Sequence, residues 1–131
     1  MCPTGGVQVN KVRDIEEAIA SHAVWMSEMR QAVLDARLGS IEVEDIRAED
    51  RCQFGRWLTG PLLTPEDRET DIYREVRRLH AEFHELAAQI VEKAARGQTV
   101  DAYALLYGEY VTMSGRLALS LRAWQERLLN G

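Results

Sequence analysis

The chain has 131 residues and a formal net charge of −5 at pH 7, and 46% of its residues are apolar. These values are typical of one globular domain with a hydrophobic core of its own. The acidic balance and the lack of a Lys/Arg-rich run argue against nucleic-acid binding, because phosphate contacts reward a basic patch.

No stretch of the sequence predicts a membrane span, since none approaches the ~20 consecutive apolar residues that crossing a bilayer requires. Residues 1–10 also lack the apolar core of a signal peptide. We therefore expect a cytoplasmic protein that forms one domain over residues 1–131, with a flexible terminus over residues 1–8. Cys2 falls in that terminus, and we assign no role to it.

The first predicted element is a long helix from about Val9 to Leu38, which Gly39 ends. Core-type residues recur along it at steps of three and four, as on one face of an amphipathic helix. They are Val12, Ile15, Ile19, His22, Met26, Met29 and Val33. His22 belongs to this face, so we expect its ring to point into the core.

The next stretch, Ser40–Asp50, is polar and acidic, and we predict a connection without regular structure. Arg51–Leu58 is predicted to form a short helix that Gly60–Pro61 ends. This segment is dense in residues typical of a core, namely Cys52, Phe54, Trp57 and Leu58. It is therefore expected to pack against the long helices.

A second long helix follows, and two starts are compatible with the sequence. Thr64 can cap it with Pro65 in the first turn, or the start lies at Thr70 or Asp71. Gly97 ends this helix. Its apolar face consists of Tyr73, Val76, Leu79, His80, Phe83, Ala87, Ile90 and Val91.

The last predicted helix runs from about Val100 to Leu129, again with apolar residues at helical spacing. Strand signals are nearly absent from the sequence. Three long helices and one short, Cys-bearing helix therefore predict an all-α fold, arranged as an antiparallel four-helix bundle.

Two of the three histidines, His80 and His84, stand four residues apart on the second long helix. This spacing puts both imidazoles on one side of the helix, where they can chelate one metal ion. Adding His22 and Cys52 gives three nitrogens and one sulfur, a donor set typical of tetrahedral Zn²⁺. The residues alone also allow the alternative that the histidines are hydrogen-bonded core residues and Cys52 is a small buried hydrophobe.

Three short segments carry a family resemblance. They are HAVW beginning at His22, CQFGRW beginning at Cys52, and His80-x-x-x-His84. Their order and gaps closely resemble the chemoreceptor zinc-binding (CZB) domain, which is recognised by HxxW, CxxGxW and HxxxH segments. The resemblance spans about Ile15 to Val91, and the last helix matches only in length and amphipathicity.

The resemblance implies a four-helix fold, very tight zinc binding and a symmetric homodimer formed through the long helices. His22, Cys52, His80 and His84 each occupy a ligand position of the family motif. The N-terminal placement and the CQFGRW segment look most like the sensory part of zinc-regulated diguanylate cyclases, in which a CZB domain precedes a GGDEF domain. The chain has no GGDEF segment, so we expect no enzyme activity.

By the same resemblance, the expected function is regulatory. The domain would transmit zinc status, or oxidation of the zinc-bound Cys52 thiolate, to an attached or partner output such as a diguanylate cyclase or a chemoreceptor. One alternative is a helical interaction module in which zinc or the histidines are structural. A metalloenzyme is a weaker alternative, because helical spacing turns Glu82 and Glu85 away from the ligand face. Two histidines one turn apart cannot ligate opposite faces of a haem.

Overall fold

The computed structural model describes residues 3–34, 43–48 and 52–130. Every regular element in these ranges is a helix, and none is a strand, so the all-α prediction is confirmed. The helices are α1 (Pro3–Leu34), α2 (Val43–Arg47), α3 (Gln53–Leu58), α4 (Pro65–Arg68), α5 (Asp71–Ala95), α6 (Thr99–Tyr107) and α7 (Glu109–Asn130). No described helix is both long and apolar enough to span a membrane.

Helix α1 begins at Pro3, so the predicted start at Val9 is wrong. The Gly5–Gly6 pair argues against a helix there, because each glycine costs roughly 1 kcal/mol relative to alanine in a helix interior. Proline at the first helical position offsets this, since its missing N–H needs no partner and its φ is already helical. The predicted end at Leu38 lies outside the described residues.

Helix α2 lies within the stretch predicted to have no regular structure, and this part of the prediction is wrong. Glu44 and Asp45 occupy its first turn and Arg47 its last, where their charges complement the helix dipole. Ile46 is buried against the core, and α2 packs on α5. Tertiary contact therefore stabilises a helix too short to form alone.

The two predicted starts of the second long helix, at Thr64 and at Thr70 or Asp71, are the starts of two separate helices. The Thr64 and Asp67 side chains form a reciprocal capping box that starts the four-residue helix α4. Helix α5 begins afterwards at Asp71, where the Thr70 hydroxyl accepts a hydrogen bond from the Tyr73 N–H. Gly97 follows the end of α5 with a φ of +79°, so the predicted stop there is confirmed.

The last predicted helix is interrupted, so the prediction of one helix over this stretch is wrong. Helix α6 ends at Tyr107, and Gly108 has a φ of −108° and a ψ of −97°, which is not helical. A Cβ atom at Gly108 would lie 2.8 Å from the Ala104 carbonyl oxygen, so only glycine fits without rearrangement. Apolar residues keep helical spacing on both sides of Gly108, so the sequence pattern does not reveal the end of α6.

The paired aromatic residues of α5 and α7 show how these two helices run. Tyr73, near the start of α5, contacts Trp124, near the end of α7, with ring centroids 6.0 Å apart. Phe83, further along α5, stacks on Tyr110 near the start of α7 at 4.9 Å. Helices α5 and α7 are therefore antiparallel, with the main apolar core between them and α1.

Helix α1 runs in the same direction as α5. His22 lies against His80 at 5.1 Å between ring centroids, and Trp25, one turn later, lies against His84, also at 5.1 Å. Helix α7 is therefore antiparallel to both α1 and α5. The metal-ligand candidates lie where α1 and α5 meet, beside the start of α3.

Candidate metal centre

The four residues predicted as ligands come together in space. One ligand atom from each of His22, Cys52, His80 and His84 lies within 4.8 Å of all the others. Nε2 of His80 is 3.1 Å from Nε2 of His84, and the Cys52 sulfur is 4.0 Å from Nε2 of His22. A tetrahedral Zn²⁺ holds two nitrogens about 3.3 Å apart and a nitrogen and a sulfur about 3.6 Å apart. The cluster therefore fits a zinc ion.

Three separate parts of the chain supply this cluster. Helix α5 presents His80 and His84 from successive turns, and α1 presents His22 from its core-facing stripe. Cys52 is the N-cap residue of α3, with extended backbone angles (φ −77°, ψ 140°) that start the short helix. The three histidines are buried, while Cys52 is only partly buried.

Two of the rings are oriented by backbone carbonyl oxygens. Nδ1 of His22 donates to the Ala18 carbonyl at 2.7 Å, and Nδ1 of His84 donates to the Ile46 carbonyl at 2.8 Å. Because a carbonyl can only accept, each Nδ1 carries a proton and each neutral ring keeps its Nε2 lone pair for a metal. Both Nε2 atoms face the cluster.

The tryptophans of the sequence motifs pack around the same site. Trp25 stacks on the ring of His84 at 5.1 Å. Phe54 meets the ring of His80 edge-on at 5.2 Å and stacks on Trp57. The Trp57 indole N–H in turn donates to Asp14 of α1 at 3.0 Å. These contacts pack aromatic rings against the histidines of the cluster and attach α3 to α1.

The surroundings of Cys52 favour its thiolate form. Burial on its own would raise its pKa, but hydrogen bonds from the rings of His22, His80 and His84, and from the Gly55 N–H, lower the pKa of Cys52 to about 3. Donation from the Nε2 of a ring whose Nδ1 already binds a carbonyl requires a second proton, and a bound Zn²⁺ would take the place of that proton. Thiolate is the form in which cysteine binds metal.

His80 lies at the base of the cluster with no exposed surface. Burial lowers its pKa, which favours the neutral imidazole that metal binding requires. Neither of the glutamates near the histidine pair joins the cluster, because Glu82 binds Arg78 and Glu85 binds Arg47. Within the described residues, the cluster thus offers nitrogen and sulfur donors, which suit Zn²⁺ better than Ca²⁺ or Mg²⁺.

The comparison with protein families decides the classification. The family model for the chemoreceptor zinc-binding domain matches residues 22–91, which is more than half of the chain and begins at His22. This chain belongs to the chemoreceptor zinc-binding domain family. Neither the curated proteins nor the solved structures gave a match.

As a CZB domain, the chain has zinc as its cofactor, and its three-His, one-Cys cluster is positioned to bind a metal ion. The family is regulatory rather than catalytic and works in chemoreceptor or other signalling contexts. The zinc prediction made from the sequence is therefore confirmed.

An open groove gives access to the metal centre of this CZB domain from the Cys52 side. It lies between α1, α2 and α3 and has a volume of about 940 Å³. His22, Cys52 and His84 are among the residues that line it. Four carboxylate residues also line it, namely Asp14, Glu17, Glu28 and Asp45. Such a groove favours the approach of cations and leaves the sulfur as the most accessible of the four ligand candidates.

Sequence reasoning did not find two residues that matter to this site. Ile46 contributes a backbone carbonyl to His84, which no side-chain pattern can reveal. Arg47, the next residue, binds Glu85 and Glu92 of α5 and so fixes α2 beside the site. Both lie in the stretch for which we predicted no structure. The sequence signal was weak, namely that the apolar residues Val43 and Ile46 stand three positions apart within an acidic segment.

Proposed function

We propose that His22, Cys52, His80 and His84 bind one Zn²⁺ in a closed tetrahedral site, and that the domain is a regulatory sensor without enzyme activity. The observation that carries this proposal is the convergence of three imidazole nitrogens and one sulfur within 4.8 Å. With four protein ligands, no coordination position is left for a substrate or a catalytic water.

The proposed signal enters at Cys52, because it differs from the other three ligands in access and in chemistry. The three histidines are buried, whereas Cys52 is only partly buried and lines the groove. An oxidant such as hypochlorous acid attacks a thiolate, and the oxidised sulfur is a poorer ligand for zinc. Either loss of zinc or oxidation would then break the link between α3 and the two histidine-bearing helices.

The segment that such a signal would release is shorter than the whole of α3. The Leu58 carbonyl accepts a hydrogen bond from the Tyr73 hydroxyl at 2.8 Å, and Trp57 binds Asp14. These anchors hold the C-terminal end of α3 without any metal. We therefore expect the change to be confined to the neighbourhood of Cys52 at the N-terminal end of α3.

We further propose a symmetric homodimer in the cytoplasm, in which α1, α3, α5 and α7 act as the four-helix bundle of each subunit. Helix α7 exposes Leu119 by 72% and Val111 by 42% on its outer side. Gly115 lies between them with open space around it. These residues give α7 an apolar surface suited to a second copy. The signal would pass through this dimer to a diguanylate cyclase or chemoreceptor output.

One experiment separates a sensor from a module with purely structural zinc. Protein purified without a metal-affinity tag is analysed for zinc, then treated with hypochlorous acid while zinc release is followed. The sensor proposal expects one zinc per chain and its release on oxidation, with no release from the same amount of oxidant quenched beforehand. Zinc that stays bound while Cys52 is oxidised supports the structural module, and no zinc after zinc supplementation contradicts the site.

A further inference from the structure

Helix α2 lies against the metal centre although it supplies no ligand. It is only five residues long, Val43–Arg47, and it packs on α5. Its Ile46 side chain is buried, and the Ile46 carbonyl accepts the hydrogen bond from Nδ1 of His84 at 2.8 Å. The orientation of one ligand candidate thus depends on where this short helix lies.

A helix of this length has no stability of its own, so contacts with other elements must fix its position. Arg47 supplies such contacts at the C-terminal end of α2. Its Nε donates to Glu85 at 2.8 Å, and its other guanidinium nitrogens bind Glu92 and Glu44. Glu85 and Glu92 stand seven residues apart on α5, so one planar guanidinium joins α2 to two turns of the histidine-bearing helix.

We propose that Arg47 is a positioning residue for the zinc site. By fixing α2 on α5, it keeps the Ile46 carbonyl on Nδ1 of His84 and so keeps Nε2 of His84 directed at the metal. This inference rests on the proposed zinc ligation, because it assigns a role to Arg47 only through His84. Loss of a partner that orients a metal ligand typically weakens metal binding 10- to 100-fold. Arg47 acts one step further away, so we expect about tenfold.

The structure offers two matched controls for this proposal. His22 has the same kind of hydrogen bond as His84, but its acceptor is Ala18 of its own helix, so Arg47 plays no part in it. Arg78, like Arg47, is a salt-bridged arginine, but its two carboxylate partners, Glu75 and Glu82, both lie with it on α5. Arg78 therefore joins no two elements, and its loss removes ion pairs without moving α2.

The test compares Arg47→Ala with Arg78→Ala in the full chain. Zinc affinity is measured by competition with a chelator, and solvent exchange of the two Nδ1 protons is measured by NMR on the zinc-loaded protein. For Arg47→Ala we expect about tenfold weaker zinc binding, faster exchange of the His84 proton and unchanged exchange of the His22 proton. Arg78→Ala should match the wild type in all three quantities. Arg47→Lys, which keeps one charged contact, should restore part of the loss.

If Arg47→Ala fails to fold, Glu85→Ala with Glu92→Ala removes the same contacts from α5 and should give the same selective effect. Unchanged zinc affinity, or equal acceleration of both Nδ1 protons, would overturn the role of Arg47, because a general loss of stability does not distinguish the two rings. Failure of the wild type to bind zinc would instead contradict the proposed function. The two failures are therefore distinguishable.

Discussion

The sulfur of Cys52 lies 4.0 Å from Nε2 of His22, although thirty positions separate these residues in the chain. The distance is close to the spacing of a nitrogen and a sulfur ligand on one zinc ion. The two residues lie on different elements, and the packing of Cys52 and α3 against α1 brings them together. This contact adds His22 and Cys52 to the two histidines that α5 supplies to the cluster.

Cys52→Ala should weaken zinc binding by more than a hundredfold, because even the loss of a residue that orients a ligand typically costs 10- to 100-fold. The bundle should stay helical, since three buried histidines and the anchors of Trp57 and Leu58 remain. Chelator competition and amide hydrogen exchange check both statements. Faster exchange is expected around residue 52 and not at Leu58. Cys2→Ala is the control, and an unchanged affinity in Cys52→Ala would remove Cys52 from the site.

The lowered pKa of Cys52 predicts an unusual pH dependence in metal-free protein. The pKa of Cys52 is about 3 in the folded protein and about 8.5 in the unfolded chain. Ionisation of the thiol therefore stabilises the folded state fully above about pH 8.5. This stabilisation declines as the pH falls below that value and is lost as the pH falls through about 3. Ultraviolet absorbance of the thiolate, with Cys52→Ser subtracted, should persist from about pH 8 to about pH 4. A titration midpoint near the unfolded value would refute the assignment.

The carboxylates of the groove predict an effect on the rate of zinc uptake. Replacing Glu17 and Glu28 with glutamine removes two negative charges from the groove without touching a ligand. The association rate, measured by stopped flow at low ionic strength, should fall severalfold, because the local field raises the concentration of cations. Added salt should reduce the difference. Glu75→Gln with Glu109→Gln changes the net charge equally outside the groove and should have no comparable effect.

The proposed homodimer predicts that a charge on the outer surface of α7 separates the subunits. Leu119→Asp should sediment as a monomer at concentrations where the wild type sediments as a dimer, because a buried, unpaired carboxylate is costly. Val100→Asp is a suitable control, since Val100 is 82% exposed and lies on α6. A monomeric wild type would contradict the dimer, and a dimeric Leu119→Asp variant would place the interface elsewhere.

Much of the site could be predicted because its signals are local. The spacing of His80 and His84 fixes their shared face, and the stripe that contains His22 fixes its direction. Thr70 and Gly97 mark the ends of α5 through cap chemistry that the sequence displays. For these features, the local pattern and the tertiary structure favour the same conformation.

The features that the sequence did not reveal depend on tertiary contact. Helix α2 is shorter than two turns, so its sequence is too short to show a helical periodicity. Burial of Ile46 against α5 stabilises this helix. The break at Gly108 is concealed because apolar residues keep helical spacing on both sides. The hydrogen bond from His84 is accepted by the backbone carbonyl of Ile46, and any residue type at position 46 could supply that carbonyl.

The most direct test of the account is zinc-edge X-ray absorption on the zinc-loaded protein, because it counts the ligand atoms themselves. We predict one sulfur at about 2.3 Å and three nitrogens at about 2.0 Å from the metal. Cys52→Ala should lose the sulfur scatterer, and Cys2→Ala should keep it. A wild-type zinc site with only nitrogen and oxygen ligands would contradict the participation of Cys52 and, with it, the proposed sensor.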